Sequence, residues 1–410
     1  MSDTMQEWIG DNLDKMEAVA KEGLCDRCLG RMFAKLGTGM TNDVRGMHIR
    51  DALRESGRDV PTPEECVLCD DVFDNLDLFA EAVAEKVVEV ESDNFLVGCH
   101  ADPAALKREK EIWERHGLEN FESIKTELNR EIGKAALPMI HRPVEFKNPQ
   151  CVACIDTRFA DVKLDLSPVF IKGRYNKLSR EIPQTKWPCR VCHGKGCPRC
   201  HGTGKMYQTS VQEIIGDIAL RMCNGQEHFF HGMGREDIDA LCLGEGRPFV
   251  LEISQPRRRD IDLDELERLA NESELAQFHY LQFTQRSEVA RTKNATPTKT
   301  YRVIVKAESK VNKQRVVDVA TSFKNVHLDQ RTPKRVEHRR ADLVRDRMIL
   351  WIEAEVLGDD TFSLTLETQS GTYVKEFVSG DDGRCVPSFS EALGIQCRVE
   401  TLDVIAINNQ

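Results

Sequence analysis

The chain has 410 residues, 40% apolar and 30% charged. That length exceeds one ordinary core and predicts two to four domains, and the lack of an 18-residue apolar run excludes a membrane-spanning helix. The start, "MSDTMQEWIGDNLDKM", has neither a basic nor an apolar leader segment, so a cytoplasmic protein is expected.

A net charge of −11 argues against a nucleic-acid partner only if the charge is evenly spread, and it is not. From Lys172 to Lys205 nine Lys/Arg face a single acid, and from Arg331 to Arg347 seven face three. The acidic excess lies elsewhere, as in "CDDVFDNLDLFAEAVAEKVVEVESDNF". An acidic protein with local basic surfaces is the expectation.

In chain order, residues 1–70 hold two CxxC knuckles, Cys25/Cys28 and Cys66/Cys69. A two-residue gap lets both thiolates of a knuckle reach one tetrahedral ion, so these four are predicted to share one structural zinc with no open coordination position. A redox CxxC does not account for two such pairs. Residues 71–185 read as an α+β module, with helices at "NLDLFAEAVAEKV", "ALKREKEIWERHG" and "ENFESIKTELNREIGKAAL" and strands at "NFLVGCH", "CVACIDTRFADVKLDL" and "SPVFIKGRYNKLSR". The alternation in "DVKLDL" is that of a half-buried strand. Residues 186–205, including "WPCRVCHGKGCPRCHGTGK", place Cys189, Cys192, Cys197 and Cys200 for a second zinc, either alone or with Cys151 and Cys154. Cys99, Cys223, Cys242, Cys385 and Cys397 read as core or incidental.

Residues 206–410 read as a larger α/β unit. A helix at "SVQEIIGDIALRMCNG" has Ser210 as cap and Glu213 three residues on. Strand "RPFVLEIS" and helix "DLDELERLANE" follow, then strand-like "YRVIVKAES", "QRVVDVATSF", "RMILWIEAEVLG", "TFSLTLETQSGTYVKEFVSG" and "VETLDVIAI". The predicted fold class is α+β and multidomain, with a mixed sheet in the last domain.

Between the first helix and strand of that domain lies "GMGREDIDALCLGEGRPFVLEISQP", in which Glu236, Asp237, Asp239 and Glu245 are near-equals by composition and a solvated turn would explain them all. The segment "GREDIDALCLGEGRPF" resembles the catalytic segment of the archaeal and eukaryotic tRNA pseudouridine synthases that modify T-loop uridines. "RYNKLSREIPQTKW", "QRTPKRVEHRRADLVR" and "SGTYVKEFVSGDDGR" resemble further signatures of that family, in its order, and the N-terminal CxxC pairs with the α+β module resemble its zinc-bearing, THUMP-type RNA-binding region. The resemblance runs from Cys25 to Ala406.

It implies isomerisation of tRNA uridine 54 and/or 55 by a catalytic aspartate, Asp237 in the G-R-x-D position, with Asp239 in a supporting place. It implies that Lys375 pairs with the aspartate, that Tyr301 stacks on the target base, that Tyr373 supports Lys375, and that Leu402 packs beneath the base or in the core. Lys375 and Glu376 are read on one strand. Arg235 and Arg247 either grip phosphate or fix the loop. Arg339, Arg340 and Arg345 are phosphate-contact candidates, with Lys172, Arg174, Lys177 and Arg180 as a second group in the accessory module; such contacts position RNA without reading its sequence. The base must leave its stack to react. The implied partner is tRNA, and the implied cofactor is structural zinc with no organic group; a monomer without an obligate protein partner is expected.

Ala240, Leu241 and Cys242 depart from the family's usual valine, arginine and methionine-like series, and Cys385 stands where threonine is more typical. The alternative readings are a non-catalytic, zinc-dependent tRNA-binding protein, which leaves the G-R-E-D and G-T-Y-V-K segments without purpose, and a THUMP-bearing methyltransferase or sulfur-transfer enzyme. The latter needs a glycine-rich cofactor loop after a strand, and "CHGKGCPRCHGTG" lacks that context.

Overall fold

Residues 3–36, 39–339 and 341–408 are described by the computed structural model, in which the chain divides into two units, Met1–Ser167 and Pro168–Gln410. In the first, short helices Asp26–Met32 and Asn42–Glu55 cross tightly. Glycine is required at both faces of the crossing: a Cβ on Gly30 would lie 1.8 Å from the Asn42 carbonyl oxygen, and one on Gly46 1.8 Å from that of Asp26. Buried Arg50 ties the knuckle together, donating to the carbonyl oxygens of Leu24 at 2.5 Å and Val60 at 2.6 Å and to Asp26 Oδ1 at 2.6 Å.

Three further helices, Leu76–Val88, Pro103–His116 and Ile124–Ile140, accompany a small sheet of β1 (Phe95–His100), β2 (Cys151–Asp156) and β3 (Asp161–Leu166). β1 and β2 run parallel, and β2 and β3 antiparallel. Asp102 and Ser123 cap the second and third of these helices by accepting from Ala104 N and Thr126 N. A single apolar cluster extends from Met16 to Leu166, so the expected boundary at residue 70 does not separate two cores. The cysteine region and the α+β module share one apolar core and form one body.

The second unit is built on a mixed ten-stranded sheet. Its strands are β4 (Val169–Lys177), β5 (Glu227–Gly232), β6 (Leu241–Ser254), β7 (Ala276–Thr284), β8 (Thr298–Ala307), β9 (Val326–Arg331), β10 (Val344–Val356), β11 (Thr361–Thr368), β12 (Cys385–Val386) and β13 (Cys397–Asn408). Their order is β12-β9-β10-β11-β8-β13-β6-β4-β7, with β5 on β6. All pairings are antiparallel except β13 with β6, which meet in parallel at Asp403↔Leu241 and Val404↔Cys242. One apolar cluster lies on each side of this junction, and the sheet is continuous across it.

Three expectations are corrected here. β4, read as the end of the accessory module with a boundary at 185, pairs with β6 and β7, so the division falls at 167/168 and Lys172, Arg174, Lys177 and Arg180 belong to the second unit. "QRVVDVATSF" is a helix, Lys313–Ser322: Asn312 caps it, and Val316, Val319 and Ala320 bury one stripe at helical spacing despite their β-branched composition. The segment after "SGTY" is also helical, Val374–Ser379, so Lys375 and Glu376 do not alternate on a strand. Among the described residues no helix is long and apolar enough to cross a membrane.

Candidate active site

At the parallel junction, the segment 233–240 leads into β6 and forms one wall of a cleft of about 190 Å³. Tyr301 and Lys299 line it from β8, Leu402 and Val404 from β13, and Gly371 to Lys375 from the turn and helix after β11. Arg335 and Val336 complete it. Sites for drug-sized ligands span roughly 300–1,000 Å³, so this volume suits one flat ring better than a nucleotide cofactor.

The Asp237 carboxylate faces two cations. Its Oδ2 lies 3.2 Å from Arg335 Nη1 and 3.5 Å from Lys375 Nζ. Lys375 also reaches Asp239 Oδ2 at 2.9 Å, and although partial burial opposes ionisation, this bond and charge hold the Asp239 carboxyl below its usual range. Asp239 is the more exposed acid and does not line the cleft. Arg335 is steadied in turn by Glu376 Oε1, 2.7 Å from its Nε. The helical backbone explains how Lys375 faces the acids while neighbouring Glu376 turns back to Arg335.

The loop is held rigidly from below. Glu236, its neighbours' equal by composition, is buried, forms an ion pair with buried Arg247 at 2.9 Å, and accepts from Tyr175 Oη at 3.0 Å. Arg247 Nη1 donates to Met233 O at 2.8 Å, and Gln184 Nε2 to Gly234 O at 3.0 Å. Arg247 therefore fixes the loop; with 1% of its surface exposed it cannot grip phosphate. Arg235 is exposed, its guanidinium 4.9 Å from the Trp187 ring centre.

The "RYNKLSR" motif has a different task from the one expected. Lys177 is fully buried, and its Nζ donates to the carbonyl oxygens of Ile238 at 2.6 Å, Ile182 at 3.1 Å and Ser179 at 3.1 Å. Arg180 Nη1 donates to Asp239 O at 2.8 Å and the guanidinium pairs with Asp403 at 2.7 Å, while Arg174 donates to Glu245 O and Gly246 O. Lys177 and Arg180 hold the acidic loop and Arg174 the β6 backbone that follows it, instead of forming an outlying phosphate surface; only half-buried Lys172 of that group has no such bond among the described residues. Arg345 braces its own hairpin through Thr332 Oγ1 and Leu343 O. Arg340 lies outside the described residues, and the Arg339 side chain is likewise not described.

Tyr301 is 9% exposed, and burial pushes its hydroxyl up to about 12. It stands across β8 and β13 from Val404, with Leu402 two residues earlier on β13. Tyr373 joins the cleft wall and is fixed through its backbone by Gln330. Glu236 stood undistinguished among four acids of the sequence, and Arg335 and Lys299 were not anticipated. Nothing marked Arg335 among the seven cations of its basic stretch, whereas Lys299 shares a strand face with Tyr301 by period-2 spacing.

Both cysteine quartets converge. In each, all four sulfur atoms lie within 4.8 Å of one another. Individual separations are 3.9 Å for Cys25–Cys69 and 3.9, 3.8 and 3.7 Å for Cys189–Cys197, Cys192–Cys200 and Cys197–Cys200. A tetrahedral ion with metal–sulfur bonds of about 2.3 Å sets ligand sulfurs about 3.8 Å apart, so both sets fit a four-thiolate metal site. Backbone N–H groups of Gly196, Cys197 and Gly204 point at sulfurs at 3.2 Å, which favours thiolates. The second quartet is complete in itself: Cys151 and Cys154 belong to β2 of the first unit and to neither cluster.

A family profile described as "Pus10, C-terminal" matches residues 170–408, and one described as "Pus10 THUMP domain, archaeal" matches residues 79–156. The chain is 39% identical to the tRNA pseudouridine synthase Pus10 of Methanothermobacter marburgensis over 97% of its own length and 98% of the relative's. It is 38% identical to the protein of that name from Methanopyrus kandleri (95% and 96% covered) and 37% identical to that from Pyrococcus furiosus (96% and 97%). With likeness over nearly the full length of each and a profile over more than half the chain, this protein belongs to the Pus10 family.

Proposed function

We infer that the chain is a tRNA pseudouridine synthase, an isomerase that breaks the uracil–ribose bond of a tRNA uridine and rejoins the base to C1′ through C5. The observation that carries the residue assignment is the Asp237 carboxylate at a small polar cleft, opposed by Arg335 and Lys375 and faced by Tyr301. Arg335 and Lys375 set two positive charges against the carboxylate, a pairing that strengthens as RNA excludes water. Tyr301 and Leu402 supply the flat, apolar contact for a flipped base, and Glu236–Arg247 holds the loop in place. The uridines proposed as substrates are the adjacent T-loop positions 54 and 55, one or both.

Both quartets are proposed to hold zinc, structural because four thiolates fill the coordination shell. Exposed Lys186, Arg190, Lys195 and Arg199 surround the second quartet and take the phosphate-contact role that the loop-bound "RYNKLSR" cations cannot. The test is incubation with an unmodified tRNA transcript, no cofactor added, followed by pseudouridine mapping. Product from the wild type and none from Asp237→Asn is expected; no product from the wild type on several tRNAs overturns the reading.

A further inference from the structure

Lys299 is an anomaly in the cleft. It is 9% exposed, it lines the cleft two residues before Tyr301 on β8, and among the described residues no acceptor bonds its Nζ. The carboxylate whose charge acts on it, Glu236, is already taken by Arg247 and Tyr175. Gly234, at φ +78°, makes room for both cations: a Cβ there would sit 3.2 Å from Lys299 Nζ and 3.2 Å from Arg247 Nη1. A largely buried lysine beside a guanidinium, its ammonium at a narrow cleft without a protein acceptor, is destabilising for the fold. A ligand that supplies the missing acceptor offsets that cost.

We propose that Lys299 is a catalytic residue that hydrogen-bonds a carbonyl oxygen of the target uracil and stabilises the negative charge the base acquires during isomerisation. The proposal rests on the Asp237 cleft being the site of reaction. When the C1′–N1 bond opens, its electron pair stays on the base and spreads over N1, O2 and O4. If the carboxylate instead adds to the base, the displaced π electrons again reach a carbonyl oxygen. The charge returns to the C5–C1′ bond when the base re-attacks, and C5 then gives up its proton while N1 gains one, so no atom is gained or lost overall. A fixed cation in a water-poor cleft favours the charged state over the neutral ground state, and this is where such electrostatic stabilisation is strongest.

The test uses Lys299→Met, which keeps the length and apolar stem but removes the charge. Four measurements are made on the full-length protein: melting temperature, tRNA affinity, single-turnover rate, and the rate on tRNA with 2-thio- or 4-thiouridine at the target position. The proposal expects a melting temperature equal to or above wild type, affinity within about threefold, and a single-turnover rate about 10²–10³-fold lower. It also expects one thio-substitution to slow the wild type markedly and the variant hardly at all, because the weaker sulfur acceptor matters only while its donor is present. A variant rate near wild type overturns it, as does a fall in rate accompanied by lost thermal stability. Thio effects equal in both proteins overturn it as well and send the ammonium to a phosphate or ribose oxygen. Asp237→Asn is run alongside: if that variant keeps activity, the cleft assignment fails, whereas an inactive Asp237→Asn beside a normal Lys299→Met sinks the lysine proposal alone.

Discussion

The ammonium of Lys177 lies 2.6 Å from the carbonyl oxygen of Ile238, fully enclosed at the end of β4. It links the first signature of the second unit to the residue that follows Asp237 in the chain, and the same Nζ closes its own turn through Ser179 O and Ile182 O. Lys177→Met removes the donor shared by four carbonyl oxygens, those of Ser179, Ile182, Asp237 and Ile238. Hydrogen bonds to a charged group contribute about 1.5–3 kcal/mol each, and the buried lysine's desolvation offsets part of that, so a net loss of about 3 kcal/mol is expected. For a unit of this size it lowers the melting temperature by roughly 6–12 °C. Because Asp237 is displaced, single-turnover rate falls more than tRNA affinity. A variant with weakened binding and an unchanged rate would return Lys177 to the phosphate surface.

Asp237 and Asp239 share Lys375 but not the cleft. Asp239→Asn removes the closer partner of Lys375, which then serves Asp237 alone, so a single-turnover rate within about tenfold of wild type is expected. That corresponds to about 1.4 kcal/mol in the barrier. Asp237→Asn leaves Arg335 and Lys375 facing a neutral amide and gives no product. Pseudouridine mapping on one transcript distinguishes them, and loss confined to Asp239→Asn would transfer the role.

Most elements were legible because their signals are local: the Ser210 cap on the helix Val211–Cys223, the alternation of "DVKLDL", and both CxxC quartets. Asp237, Tyr301 and Lys375 were brought together only by likeness to a family, since they lie on a loop, a strand and a helix far apart in the chain. What stayed hidden depends on direction. Arg174, Lys177 and Arg180 look in sequence like a phosphate surface, but β4 is an interior strand of the sheet and their donors turn onto the loop and the β6 backbone that follows it. The helix Lys313–Ser322 was obscured by its valines, whose β preference yielded to a buried stripe and the Asn312 cap. Burial likewise separated Glu236 from Asp237, which no pattern of adjacent acids reveals.

Both cysteine quartets suit a metal, but their surroundings predict different consequences of losing one. Cys28, Cys66 and Cys69 are at most 4% exposed and belong to the core that runs through the first unit. Cys28→Ser should release one metal ion per chain and destabilise that unit cooperatively. The second quartet sits in turns held by few apolar contacts, closed by Cys189 N to Gly204 O and joined to the helix Val211–Cys223 through the Lys205–Glu213 ion pair. Cys192→Ser should also release one ion but leave the main melting transition within a few degrees. Its cost should appear in tRNA affinity, since Trp187 beside Arg235 and the exposed cations lose their frame. Elemental analysis and melting curves of the two variants check this. Equal thermal losses would show that the second quartet is as integral as the first.

Lys299 gives the sign of one pH effect on stability. Burial, aided by Arg247 and opposed by Cys242 and Glu236, pushes its ammonium down to about 8 from 10.5. With the folded value below the unfolded one, the unfolded chain takes up the proton first as pH falls. The neutral amine costs the fold nothing above pH 10.5; the penalty grows between 10.5 and 8 and is constant below, reaching about 3 kcal/mol. Lys299→Met has no such group. Its melting temperature relative to wild type should therefore rise as pH is lowered from 10 to 8 and then level off between 8 and 6.5. Bound tRNA should reduce the difference, since an acceptor from the base would then stabilise the wild-type ammonium. A difference that is flat from pH 10 to 8 would mean that the ammonium already has its acceptor within the fold.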